Sequence, residues 1–300
     1  MAAFKKKTTL VHHITYMGIM TAINLIFIVL ATYVPFLMLL LILLLPFISA
    51  VVSYYCQKRY YIIYALASIG LCFIFNISDT IFYVVPAIIT GFLIGLMLEK
   101  KINPFWLILS STVVESALTF AFIPLIKLIT GVDVVDTFLT IFKLTAFTYK
   151  TEVVYLFVFF ISLVQCSLTH FILLSDAKKI GIEVNTTVSS FIPYIIGSEI
   201  TMLLSLVLAF LFTPLAFTFL MMSFYFSMFL FINLVKGIAI NNKLPAILLG
   251  ITLVIGIFVF ALCYRDFQKP LGLLLLVIFP YGVTIVSFIN YCLLKRDTNI

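Results

Sequence analysis

Two acidic residues, Glu115 and Glu199, fall inside long apolar stretches, while the other nine acids lie in the connections between such stretches. A carboxylic side chain in hydrocarbon costs about 2.5–3.5 kcal/mol on insertion scales, so each should face protein or a cavity rather than lipid. Both have polar company at helical spacing. Ser111, Thr112, Glu115 and Thr119 share a face, and Tyr194, Ser198, Thr201 and Ser205 form a stripe adjoining Glu199. Ser162, Gln165 and Thr169 make a third polar stripe, and Thr21 with Asn24 a fourth. Carboxyl, amide and hydroxyl groups gathered in an apolar bundle could hold a small ligand or relay a proton. The candidate ligand-binding residues are therefore Glu115, Gln165, Asn24, Glu199, Thr112 and Thr119. The plainer alternative is a set of interhelical hydrogen bonds around neutral carboxyls, each worth roughly 0.6 kcal/mol. Glu115 and Gln165 favour the pocket; the serines and threonines favour packing.

Other chemistries find no support. There is no phosphate-cradling glycine loop, nucleophile elbow, metalloprotease histidine pair or dinucleotide fingerprint, so no enzyme activity is expected. Cys56, Cys72, Cys166, Cys263 and Cys292 lie in or beside apolar runs with no CxxC pair, which fits small buried side chains. His12 and His13 are adjacent and diverge on a helix, and His170 stands alone. No metal site and no cofactor are expected.

The elements that must carry these residues follow from composition. Of 300 residues, 64% are hydrophobic and 10% charged, and the mean hydropathy is +1.29. Soluble domains carry about 25% charged residues, so lipid must be the solvent for most of this surface. The net charge of +7 does not point to nucleic acid, because no basic stripe alternates with aromatics.

Stretches of membrane-spanning length lie near 14–33, 36–56, 60–75, 81–98, 105–126, 153–174, 189–212, 214–235, 244–264 and 271–294. The predicted fold is an all-α polytopic bundle of about ten spans. Only Thr213-Pro214 separates the seventh from the eighth, so one long kinked helix, giving nine spans, is the alternative. With the N-terminus inside, 13 of the 18 Lys and Arg residues fall on the cytoplasmic side. Nine spans would put Lys236, Lys243, Lys295 and Arg296 outside, so the bias favours ten, with both termini in the cytoplasm. Lys5, Lys6 and Lys7 precede a run too long for a signal peptide core, which reads as a retained first span.

Residues 133–150, outside in this topology, place Val135, Phe138, Phe142, Ala146 and Tyr149 three or four apart. Asp133 and Asp136 at the start and Lys143 and Lys150 toward the end suit a helix dipole. This segment reads as an amphipathic helix, either a lid or a surface connection. Gly91-xxx-Gly95 and Gly18-xxx-Ala22 are small-residue pairs that permit close helix approach. Pro46 and Pro280 fall within spans and should bend their helices.

Tyr33-Val34-Pro35, Leu45-Pro46-Phe47, the basic turn Gln57-Lys58-Arg59, the stretch from Phe229 through Lys236 to Leu244-Pro245 and the Lys295-Arg296 ending resemble the YybS-like family of bacterial membrane proteins, whose function is unknown. That family is in turn similar to the substrate-binding S-components of energy-coupling factor transporters. Val85-Pro86-Ala87, Gly91, Gly95 and Glu99-Lys100-Lys101 look like the fourth S-component helix, and Gly18-xxx-Ala22 sits where the first carries a coupling motif. The resemblance implies a six-span core over residues 1–176, with residues 177–300 an additional four-span unit. It implies a small-molecule ligand, a transmembrane partner with ATPases, and residence in the plasma membrane. The expected function is binding or transport of a small solute through a polar pocket; the alternative is a non-transporting scaffold or assembly partner.

Overall fold

The computed structural model describes residues 9–141, 150–175, 192–238, 251 and 277–297, and every element among them is helical. In chain order these are α1 (Leu10–Tyr33), α2 (Pro35–Tyr55), α3 (Lys58–Phe75), α4 (Ile77–Glu99), α5 (Pro104–Thr130), α6 (Val134–Ile141), α7 (Lys150–Ser175), α8 (Ile192–Leu211), α9 (Thr213–Ile238) and α10 (Ile278–Asp297). Seven of them, α1, α3, α4, α5, α7, α8 and α9, are long and apolar enough to cross a membrane. α2 and α10 contribute the shorter apolar stretches Leu44–Tyr55 and Ile278–Cys292. The span expected at 244–264, the start of the one at 271–294, and the connection at 175–188 lie, almost entirely, outside the described residues.

The chain groups into two compact units, Met1–Val134 with Ile161–Thr187, and Val135–Phe160 with Val188–Ile300. In the first, chain direction is set by local signals at helix ends. Thr9 caps α1 by accepting from the His12 amide at 3.3 Å. Asn103 caps α5 by accepting from the Phe105 amide at 2.9 Å, with Pro104 in the first helical position, where a missing N–H costs nothing. α5 ends at Gly131, whose φ of 72° closes the helix through a hydrogen bond to the Lys127 carbonyl. The Lys127 ammonium then meets Asp133 at 2.6 Å.

α4 is not uniform. Asn76 caps its start, accepting from the Asp79 amide at 3.0 Å and donating to the Asp79 carboxylate at 2.7 Å. A π-helical turn follows at Thr80–Val84, with the Val85 amide reaching back to the Thr80 carbonyl. Pro86 has no N–H to offer the carbonyl four residues earlier, and a widened turn just ahead of it relieves the ring's clash with that carbonyl.

In the second unit, α8 and α9 are two helices joined through Phe212 alone. They form an antiparallel hairpin: the Tyr194 and Phe229 rings meet tilted at 4.8 Å, Gly197 lies against Phe226, and the Ser205 hydroxyl donates to the Ala216 carbonyl at 3.0 Å. The contacting numbers rise on one arm as they fall on the other, so the turn at Pro214 is a hairpin and not a kink. Ile195, Leu230, Leu234, Val283 and Val286 make a core of α8, α9 and α10. α6 packs by Phe138 on Phe157 of α7, ring centroids 4.6 Å apart, with Leu139 buried. The second half of the predicted amphipathic segment, with Phe142, Lys143, Ala146 and Tyr149, lies outside the described residues.

Candidate functional site

Glu115 lies eleven residues past the start of α5, about 16 Å along its axis at 1.5 Å per residue. It is 2% exposed, and the Cys166 thiol of α7 donates to its Oε2 at 3.0 Å. Ser111 and Thr112 lie beside the same thiol, and both are fully buried. Ser111 donates to the Leu107 carbonyl at 2.7 Å, and Thr119 to the Glu115 carbonyl at 2.9 Å. The expected stripe on α5 is therefore real, but several of its hydroxyls are spent on their own helix. A thiol is a weak donor. The Glu115 carboxyl thus keeps acceptor capacity for a further hydrogen bond.

Gln165, Ser162 and Thr169 are all buried on α7, as is His170. Cys166 is the α7 residue bonded to Glu115. Asn24, another of the candidate residues, makes its hydrogen bond on α3. Its amide donates to the Tyr64 hydroxyl at 2.6 Å, and that hydroxyl also meets Ser49 at 3.0 Å. Thr21 meets Ser68 at 3.2 Å one turn along the same α1–α3 seam. These three contacts join α1, α2 and α3 through side chains. The sequence signal for them is Tyr61, Tyr64 and Ser68, which repeat at helical spacing on α3 opposite Thr21 and Asn24.

The Gly91/Gly95 pair packs α4 on α2. A Cβ built on Gly91 would strike Ser49 and come within 2.8 Å of the Pro46 carbonyl; one on Gly95 would strike Ser53 and come within 2.8 Å of the Ala50 carbonyl. Ser53 donates to the Phe92 carbonyl at 3.0 Å, and Tyr61 of α3 to the Ile88 carbonyl at 2.7 Å. Gly18 and Ala22 are placed differently. Both are exposed, and nothing lies within 4 Å of a Cβ on Gly18.

Glu199 is half-buried, beside rather than within the buried face of α8. That face carries the expected stripe: Ser198 meets Thr284 of α10 at 2.9 Å, and Thr201 donates to the Gly197 carbonyl at 2.8 Å. Its hydroxyls serve packing. Among the described residues no group of three or more His, Cys, Asp or Glu side chains could hold a metal ion.

No family model, no curated protein and no solved structure matches this chain.

Proposed function

We propose that this chain is a multi-pass protein of the plasma membrane, with about ten spans and both termini in the cytoplasm, that binds a small solute at Glu115. The apolar helices and the 13-to-5 partition of cations support the topology. One observation carries the site: a carboxyl group buried well inside a 27-residue apolar helix whose side-chain donor is a thiol. Burial there costs free energy that a purely structural position would not need to bear. Gln165, Thr112 and Thr119 complete the wall of such a pocket. The YybS-like and S-component resemblance supports the same reading, with Gly18 and Ala22 meeting a transmembrane partner that recruits ATPases.

A scaffold role is the second reading, favoured by the hydroxyl contacts Thr21–Ser68 and Ser198–Thr284, which lock helices to one another. The test is purification from native membranes followed by mass spectrometry of released small molecules and retained proteins. Solute binding predicts a compound that leaves with the wild type and is missing from a folded Glu115→Gln variant. A scaffold predicts no such compound and a protein partner indifferent to that substitution. Topology is checked separately. Cysteines placed at Thr137 and Asp266 should label with an impermeant thiol reagent from outside, and ones at Lys178 and Lys243 should not.

A further inference from the structure

Where α2 ends and α3 begins, the turn Tyr54-Tyr55-Cys56-Gln57-Lys58-Arg59 closes against Glu99 at the end of α4 around an open cavity of about 590 Å³. Its lining divides by chemistry. Lys58 reaches Glu99 at 3.1 Å, which engages one of the ammonium's three donors. Arg59 uses its Nε to hold the Gln57 side-chain carbonyl at 2.8 Å, and its guanidinium lies 4.5 Å from the centre of the Tyr60 ring. This posture fixes the arginine and leaves its two terminal nitrogens as a donor fork. α3 starts here without a side-chain cap, so the Lys58 and Arg59 amides and the positive end of the helix face the same region.

The aromatic wall has the composition found where helices meet lipid headgroups, Tyr54 and Tyr55 sitting edge to face at 5.2 Å. Three helix ends meet here, so the cavity lies at one face of the bundle and not in its apolar middle. Of the charged groups lining it, two are cations and one is an anion already matched by Lys58. One positive charge, in the form that makes paired hydrogen bonds, is left over. A carboxylate or phosphate oxygen pair fits a guanidinium fork, and at the headgroup level of a bilayer phosphate is the anion at hand.

We propose that this cavity binds a singly charged phosphate ester, held by Arg59 and Lys58 and flanked by Tyr54 and Tyr55. The phosphate belongs either to a phospholipid headgroup or to a soluble compound. Glu99 competes with it for Lys58.

The test uses the full chain, first by native mass spectrometry after reconstitution in equal mixtures of phosphatidylglycerol and phosphatidylcholine, then by thermal unfolding in detergent with inorganic phosphate or chloride at matched ionic strength. A headgroup site predicts one retained phosphatidylglycerol, lost about fivefold in Arg59→Gln and Lys58→Gln. A soluble ligand predicts no lipid preference, but a phosphate-specific rise in unfolding temperature that Arg59→Gln abolishes. In either case Glu99→Gln should strengthen binding, because it frees Lys58, whereas an ion pair serving only stability would predict weaker folding and unchanged binding. Lys100→Gln removes the same charge at a position outside the cavity lining and should leave binding as it was. If Arg59→Gln matches the wild type in both measurements, or Lys100→Gln weakens binding as much as Arg59→Gln does, there is no such site.

Discussion

The chain carries the same small-residue spacing twice, and the two copies have opposite fates. Gly91 and Gly95 are buried to the backbone of α2, with no room for a methyl group. Gly18 and Ala22 look away from the rest of the described protein, with open space where a side chain would go. The spacing itself only permits close approach. What decides is the rest of each helix. On α4 the glycines share a face with Thr90, Ala87, Ile94 and Leu98, all buried, so the whole face has a neighbour. On α1 the buried face is the other one, running through His13, Met17, Thr21, Asn24 and Ile28. α1 turns its polar residues inward and its small residues outward.

The largest effect expected is at Gly91. Gly91→Ala would force α4 away from the Pro46 carbonyl and the Ala50 amide, neither of which can rotate aside. Overpacking of this kind costs about 3 kcal/mol, read as a lower unfolding transition in detergent. Gly18→Ala should change that transition by less than about 0.5 kcal/mol. Equal losses at the two positions would mean that the motifs are not different after all.

Tyr64→Phe tests what holds α1 if its glycine does not. Removing the hydroxyl strips both Asn24 and Ser49 of a partner, for an expected loss of about 1–2 kcal/mol. No change would mean that α1 is held by apolar contact alone. Smaller again is Cys166→Ala, which deletes one weak donor to Glu115 and should cost about 0.6 kcal/mol. If Glu115 binds a solute, that substitution should alter solute retention more than it alters stability. The smallest stability effect belongs to Gly18→Leu, expected to fold as the wild type does yet to lose any partner protein that co-purifies through α1. Retention of the partner by this variant would leave the outward face of α1 as a lipid surface.

Much of the helical layout was legible because a span is a matter of length and apolarity. Stretches at 14–33, 60–75 and 105–126 lie within α1, α3 and α5, and the hairpin at Pro214 was marked by Thr213-Pro214 and by the charges beyond it. The π-turn at Thr80–Val84 was not, since hydropathy carries no record of which carbonyl an amide chooses. Around Glu115 the depth and the stripe Ser111, Thr112 and Thr119 could be read, but not the partner. α7 is buried at Ser162, Gln165, Cys166 and Thr169, so polarity alone could not tell which of them meets α5. The neighbour of Asn24 was hidden for a related reason. Tyr64 counts among the hydrophobic side chains in the composition, yet its hydroxyl is the centre of the α1–α2–α3 network. Glu199 could be placed within its apolar run, but not around the helix axis: it is half-buried, beside the face of α8 that passes through Ser198 and Thr201.

The corner at Phe212 bears on how the chain is made. From Leu211 to Pro214 there is no charge and no loop long enough to rest among headgroups. In the proposed topology α8 has no charge at its Phe212 end to anchor it among headgroups, and it gains a neighbour only when α9 folds back along it. The two arms should therefore insert as one event, about 45 residues after synthesis of the hairpin begins, at 1.5 Å of helix per residue. In the proposed topology the orientation of the pair is set by the lysines toward and beyond its open ends, with the corner itself carrying no vote.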